Sequence, residues 1–165
     1  MEQIAEWKLC KRTKENVIVF YYKTEEKEIR ERFPKSVSSV EEALLQFENG
    51  KKEKQSYGKT IYVGERYIGD IWCYGIHQEE EIDAMLSYCI FEKEFWNRGI
   101  ATAVVKQFLK EIMERFQIKR VGAFTYASNR ASIRVLEKNQ FQMQEAFVED
   151  GVESLYFIWN FLTLK

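Results

Sequence analysis

Between Gly99 and Phe116 the chain carries two adjacent rows of apolar residues spaced four apart. Ile100, Val104, Phe108, Ile112 and Phe116 form one row; Ala101, Val105, Leu109 and Met113 form the other. Lys106, Gln107, Lys110, Glu111, Glu114 and Arg115 fill the remaining positions. One apolar side at a period near 3.6 predicts a long amphipathic helix over 99–116. Upstream, residues 60–63, 67–76 and 82–91 are rich in Tyr, Ile, Trp and Cys and predict strands. The gaps at 64–66 and 77–81 are too short for a crossover, so these strands are expected to be antiparallel neighbours. Residues 121–125 predict a strand after the long helix. Strand, helix and strand then make a βαβ unit whose second strand runs parallel to the first. Residues 129–138 predict a short helix capped by Ser128 or Asn129. Segments 141–148 and 154–161 predict strands joined by a hairpin at Glu149-Asp150-Gly151.

The N-terminal third is more mixed. Within 7–22, period-two alternation from Val17 to Tyr21 predicts a first strand. Thr24 followed by Glu25, Glu26 and Glu28 predicts a short helix stopped by Pro34, the only proline. Ser39-Val-Glu-Glu42 predicts a capping box, with Val40, Ala43, Leu44 and Phe47 as the helical stripe behind it. Asn49-Gly50 predicts the end of that helix, and residues 49–59 read as a loop. The expected order is β α α β β β α β α β β. That is a single mixed α/β domain over 1–165, with a mostly antiparallel sheet, a central βαβ unit and flanking helices.

Composition narrows the function classes. A chain of 165 residues with 45% apolar, 15% aromatic and 31% charged residues can build a core unaided, which excludes a disordered tail. Lys and Arg number 25 and Asp and Glu 26, so the formal charge is 25 − 26 = −1. A near-neutral chain is a poor match for a nonspecific nucleic-acid binder. The longest apolar runs, such as 155–159, fall far short of the roughly 20 residues that span a bilayer. The N-terminal segment is charged too early for a secretory signal, so a cytoplasmic location and no membrane partner are expected. Cys10, Cys73 and Cys89 make no CxxC pair and are odd in number, which suits buried free thiols in a reducing compartment. With His77 the only histidine, a multi-histidine metal site is excluded and no metal is expected. His77 lies in a polar stretch that reads as a solvated turn.

The segment Phe95-Trp-Asn-Arg-Gly-Ile-Ala-Thr102 enters the long helix. A helix N-terminus carries unpaired N–H groups and partial positive charge, so Asn97, Arg98 and Gly99 there suit a pyrophosphate cradle. Gly99 allows close backbone approach, Ala101 keeps the first turn thin and Arg98 adds a fixed charge. An ordinary strand–helix turn is the plain alternative. A Rossmann nucleotide site is disfavoured, because no Gly-rich GxGxxG turn exists.

With the order of elements, these residues resemble the GNAT superfamily of acyl-CoA N-acyltransferases. Trp96-Asn-Arg-Gly99-Ile-Ala101 matches the Gly and the small residue of the superfamily's pyrophosphate motif, with Trp96 in place of the opening Gln or Arg. Its wording is similar to the RimJ/RimL-like branch, the ribosomal-protein N-terminal acetyltransferases. Asn129-Arg-Ala-Ser132 and Glu137-Lys-Asn-Gln-Phe141 resemble that branch's next motifs, with Gln140 replacing the usual Gly. The match covers roughly the half of the chain from Ile82 onward. The resemblance implies acetyl-CoA in a V-shaped opening where strand 86–91 splays from strand 121–126. Backbone groups of Cys89, Ile90 and Phe91 would pair with the pantetheine arm. Asn97, Arg98, Gly99, Ile100, Ala101 and Thr102 would hold the pyrophosphate, and Asn129 and Ser132 would face the thioester. The implied reaction is direct acetyl transfer to a primary amine: a protein N-terminus, or a small amine such as a polyamine or aminoglycoside. A monomer or homodimer is expected.

The acid and base are less plain. Many relatives carry a Tyr where Leu136 stands, and a Glu where Met85 stands. Ser132 is then the candidate for protonating the leaving thiolate, unless it only caps the helix or contacts the cofactor. Glu81 and Asp83 are the nearest acids, and Asp83 is the candidate base unless it merely ends a solvated hairpin. The run Glu79-Glu80-Glu81-Asp83 would attract a cationic amine or be a solvated turn. Trp72, Tyr74 and Phe124 would line an acceptor pocket or pack in the core. The substitutions at Met85, Trp96, Leu136 and Gln140 also allow a catalytically idle acyl-CoA-binding or sensor module.

Overall fold

The computed structural model describes residues 6–163 except 34 and 36, without the side chains of 51–53 and 163. Pro34 as a helix stop and the first five residues of the N-terminal segment lie outside the described residues. The elements run β1 (Trp7–Cys10), α1 (Lys14–Lys23), α2 (Lys27–Arg30), α3 (Val40–Glu53), β2 (Ser56–Val63), β3 (Arg66–Tyr74) and β4 (Ala84–Ile90). They continue with α4 (Ile100–Phe116), β5 (Arg120–Tyr126), α5 (Arg130–Lys138), β6 (Gln142–Glu149) and β7 (Val152–Asn160). The seven strands form one sheet in the order β1-β2-β3-β4-β5-β7-β6. The α/β class, the antiparallel β2–β3–β4 meander, the βαβ unit and the C-terminal hairpin follow the sequence pattern.

The amphipathic period of α4 has a direct consequence in the core. Ile100, Val104, Val105, Phe108, Leu109 and Ile112 are buried and pack with Ile68, Ile71, Val121 and Phe157 of the sheet. Burying such side chains stabilises by about 1.5–3 kcal/mol each as an upper estimate. This rigid α4–sheet sandwich carries the N-terminus of α4 to the edge of the β4 strand.

Three expectations in the N-terminal third are corrected. Residues 17–21 are helix, not strand. Thr13 caps α1 by accepting from the Asn16 N–H at 3.2 Å, while the Thr13 N–H donates to Asn16 Oδ1 at 2.9 Å. The run Val17–Tyr22 is apolar throughout, so alternation could not distinguish strand from helix; the cap decides. Helix geometry then turns Val17, Phe20, Tyr21 and Thr24 to one cavity and leaves Ile18, Val19 and Tyr22 exposed. The second correction is α3, which runs through Asn49-Gly50 and ends at Lys54 with φ 54. A mid-helix Gly costs only about 1 kcal/mol, which the rest of the helix offsets. Thirdly, residues 56–59 are strand, because β2 lengthens to pair Ser56 with Tyr74 along the whole of β3. The capping box of α3 is also shifted: Ser39 Oγ accepts from the Glu42 N–H, but Glu42 reaches back to the N–H and hydroxyl of Ser38.

The site is made by what β4 and β5 do not do. They are parallel and pair only at Ala84–Val121 and Met85–Gly122. Beyond those two pairs the strands splay into a V. At its root a Cβ on Gly122 would stand 2.7 Å from Met85 Sδ and 2.8 Å from the Tyr156 hydroxyl, so any larger residue would have to displace those side chains. Met85, at the position where the resemblance expects an acid, is thus a packing residue at the closed end of the V.

Candidate functional site

Phe91 donates its N–H to the Ile68 carbonyl at 2.9 Å. In an antiparallel pair the bonding alternates, so Cys89 also turns its backbone toward β3, while Tyr88 and Ile90 turn theirs into the V. Of the expected strand partners for a pantetheine arm, Ile90 is correctly aimed. The Phe91 amide is already used in the sheet, and its ring is buried 5.0 Å from the Tyr67 ring. Tyr88, not Phe91, lines the cavity there. The Ile90 carbonyl accepts from Trp96 Nε1 at 2.7 Å, so Trp96 braces the loop that follows β4.

That loop delivers α4. Asn97 has φ 60 and Gly99 has φ 80, two left-handed residues that turn the chain sharply into the helix. Gly99 is the N-cap and offers no side chain, so the first N–H groups of α4 have no side-chain cap. A cavity of about 530 Å³ opens in front of them. Its walls bring together Cys89, Ile90, Asn97, Arg98, Gly99, Ile100, Ala101, Thr102, Asn129 and Ser132, every expected cofactor contact except Phe91. The charged side chains on its walls are Arg32, Arg98, Arg130, Arg134 and Lys138, with no carboxylate among the described lining residues. Such a cavity suits a multiply charged anion. Sequence reading missed four of these cations, although Arg130, Arg134 and Lys138 fall at i, i+4 and i+8 on one side of α5. Arg32 lies over the Trp96 ring, 4.6 Å from its centroid.

Helix α5 supplies the next residues. Asn129 is its cap, with Oδ1 accepting from the Ser132 N–H at 3.2 Å. Ser132 therefore does not cap the helix, and its Oγ is free to meet the Tyr88 hydroxyl at 2.9 Å. Burial drives the Tyr88 phenol well above its ordinary pKa, opposed by the Ser132 hydrogen bond. Tyr88 thus keeps its proton at neutral pH. Sequence reading looked for a Tyr at position 136, where Leu136 is buried core. The hydroxyl comes instead from the neighbouring strand. Gln140 holds φ 69, the conformation a glycine would take there, so the chain path after α5 is kept despite the substitution.

A second cavity of about 1610 Å³ lies against the sheet beneath α1 and α3. Trp72, Tyr74 and Phe124 all line it. Trp72 meets the Phe20 and Phe33 rings edge-on at 5.9 and 5.8 Å. Asp70, which sequence reading passed over, is buried in its wall, 3.3 Å from Arg12 Nη2 and hydrogen-bonded by the Tyr67 hydroxyl. Burial pushes its carboxyl up to about 6, against the lowering effect of Arg12 and Tyr67. The two cavities share Arg32, Phe33, Tyr88, Asn129 and Ser132. The Tyr88–Ser132 pair therefore stands where they join.

Asp83 is elsewhere, a correction to its role as candidate base. Its Oδ2 accepts from the Lys119 and Arg120 N–H groups at 2.7 and 3.0 Å, and Oδ1 is 3.6 Å from His77 Nδ1. It clamps the start of β5 to the start of β4, at the closed root of the V. Five extended residues, roughly 16 Å, separate it from Tyr88. Glu79, Glu80 and Glu81 are exposed at that same end. His77 is an exposed turn residue bonded to the Phe116 carbonyl at 2.8 Å. Cys73 and Cys89 are buried free thiols and Cys10 is half-buried. Burial, and then the charge of Asp70, raises the Cys89 thiol, so it stays protonated. Among the described residues no helix is long and apolar enough to cross a membrane.

Comparisons with known proteins agree with this geometry. Several solved structures share the fold at low identity. RimL, a ribosomal-protein alpha-N-acetyltransferase in complex with coenzyme A, is 15% identical with a TM-score of 0.76, over 93% of each chain. Spermidine N-acetyltransferase from Vibrio cholerae, with CoA and spermine, is 12% identical with a TM-score of 0.82, over 93% of this chain and 95% of that one. An aminoglycoside acetyltransferase with coenzyme A and kanamycin is 13% identical with a TM-score of 0.76, over 94% and 95%. A search of curated protein sequences gives no match. The family model described as an acetyltransferase (GNAT) domain matches residues 12–142, most of the chain. The chain belongs to the GNAT acetyltransferase family.

Proposed function

We propose that the protein transfers the acetyl group of acetyl-CoA directly to a primary amine, with Tyr88 and Ser132 managing the proton of the leaving group. One observation carries the reading: the cationic cavity in front of α4 and the large aromatic cavity meet at these two hydroxyls. The pyrophosphate would lie on the N–H groups from Asn97 to Thr102, with Arg98, Arg130 and Arg134 around it. The pantetheine arm would run along Tyr88 and Ile90, completing the ladder that β5 leaves open. N–H groups of β4 facing the V would stabilise the negative oxygen that develops on the thioester carbonyl. The neutral amine nitrogen attacks that carbon and gives up its surplus proton to water in the large cavity; the carbon–sulfur bond breaks and the Tyr88 hydroxyl protonates the departing thiolate. Ser132 passes a proton back to Tyr88 from solvent. The acceptor reaches this point through the large cavity, past Trp72 and Phe124. Coenzyme A is the only cofactor in this scheme and no metal takes part. The protein is proposed to work in the cytoplasm as a monomer or homodimer.

Tyr88→Phe and Ser132→Ala test this reading. General acid catalysis contributes typically 10²–10⁴-fold. A loss near the low end, about 100-fold, is expected because a thiolate is a tolerable leaving group. It should appear in kcat and kcat/KM together, with acetyl-CoA affinity by calorimetry nearly unchanged. A normal kcat with a lowered Tm would reduce the pair to structural residues. Acetyl-CoA binding without turnover of any amine would favour the idle-binder alternative.

A further inference from the structure

The large cavity has a charge asymmetry that bears on the acceptor. Along the wall made by the β1–α1 connection and the segment after α2, its charged side chains are Lys11, Arg12, Arg32 and Lys35. Asp70 is the only carboxylate among the described lining residues on that side. The other lining carboxylates, Glu145, Glu149 and Asp150, sit across the cavity on the β6–β7 hairpin and are exposed. Exposed charges are screened by water and salt, whereas buried ones are not. Two of the four cations are shielded, the Lys35 side chain at 6% and that of Arg12 at 24% exposed, while Lys11 and Arg32 are exposed at the rim.

The two shielded cations are each paired, Arg12 with Asp70 and Lys35 with Glu25, so four cations against two carboxylates leave this wall a net charge of 4 − 2 = +2. Lys35 Nζ lies 2.6 Å from Glu25 Oε1 and donates to the Tyr21 carbonyl, also at 2.6 Å. Glu25 itself stands outside the cavity wall. Arg12 lies over the Trp72 ring, 5.7 Å from its centroid. Trp72 is the register partner of Ser87, the residue next to Tyr88. The backbones of Trp72 and Ser87 are therefore one strand spacing apart, about 4.8 Å, and Tyr88, the next residue, turns its side chain to the other face, where it borders both cavities.

Resting on the acetyl-transfer reading, we infer that the acceptor is a primary amine bearing an anionic group, a carboxylate or phosphate, held by the Lys11–Arg12–Lys35 wall while its nitrogen reaches Tyr88. A polycation would have to bring like charge against partly desolvated cations, which disfavours it. The cavity exceeds the roughly 300–1,000 Å³ of ordinary small-molecule sites, leaving room for the first residues of an acidic peptide as well as for a small amine.

The test uses the full chain loaded with CoA and four probes. Two are peptides that begin Ser-Ala, one continuing with two aspartates and the other with two lysines. The third is 2-aminoethyl phosphate and the fourth spermidine. Calorimetry with CoA reads binding, and thiol release from acetyl-CoA reads turnover. The aspartate peptide or 2-aminoethyl phosphate should bind and react at least tenfold better than the lysine peptide and spermidine, by an advantage that shrinks as salt rises. Which of the two anions leads distinguishes a peptide from a small amine. Lys11→Glu should cut that advantage severalfold while acetyl-CoA affinity holds; Lys11→Arg should restore it. Equal or better binding of spermidine or the lysine peptide would overturn the inference and leave acetyl transfer standing. Binding of none of the four to a protein that binds acetyl-CoA would also overturn it. Failure to bind acetyl-CoA would instead overturn the functional reading on which it rests.

Discussion

Asp70 carries a burial penalty that makes stability depend on pH. Its carboxyl titrates at about 6 when folded, against an ordinary value of 3.8. Between those values the folded chain holds a proton that the unfolded chain has released. Its stabilising share is therefore complete below about pH 4 and is lost as pH rises through about 6, an effect of about 3 kcal/mol. Urea unfolding across that range should show stability falling with rising pH, and Asp70→Asn should abolish that part of the slope. An unchanged slope in the variant would assign the dependence to other groups. Asp70 was not legible in the sequence because nothing nearby marks it. Arg12 reaches it from the loop before α1, and Tyr67, three residues back in β3, bonds it where the β2–β3 register shifts. Tyr88 was hidden in the same way: its partner Ser132 is 44 residues downstream. Asn129 and Gly99 were legible because each is set locally, by a cap or a positive φ, whereas Ser132 was reached only through the resemblance.

At the scale of elements, the strongest period in the chain yielded the most reliable reading. Helix α4 was visible because its apolar rows and its entry glycine agree, and it is also the element that presents the cradle. Gly99→Glu should weaken acetyl-CoA binding at least tenfold, about 1.4 kcal/mol, by calorimetry. A Cβ there meets nothing within 4 Å, so the loss comes from the left-handed φ and from a negative charge facing the anion, not from a clash in the core. Unchanged affinity in a folded variant would remove the cradle assignment. The least legible element was α1. Its consecutive apolar residues fit either period, and only the reciprocal Thr13–Asn16 cap, a local signal present in the sequence, resolves it. The three-helix stretch before β2 bears on the proposed acceptor site, since residues of α1 and α3 line the large cavity.

The whole molecule is two antiparallel half-sheets, β1–β4 and β5–β7–β6, joined by two residue pairs and the Asp83 clamp. Short connections made the β2–β3–β4 meander and the β6–β7 hairpin readable from the chain. The seam between the halves was not readable from spacing alone, because a parallel neighbour is only implied by a crossover helix, and how far it pairs depends on Gly122, Met85 and Tyr156 packing at the root. That seam has a kinetic consequence. The β2–β3–β4 meander and the β6–β7 hairpin close over short loops, whereas docking them across the seam spans the whole of α4, so the docked seam is expected to form late on the folding path. A molecule that lies along both lips of the V is bound only after docking. Acetyl-CoA should then slow unfolding in proportion to its binding energy and leave the refolding rate nearly untouched, the behaviour of a contact absent from the transition state. Stopped-flow unfolding with and without acetyl-CoA would show it, and an equal acceleration of refolding would mean that the V is already formed when the barrier is crossed.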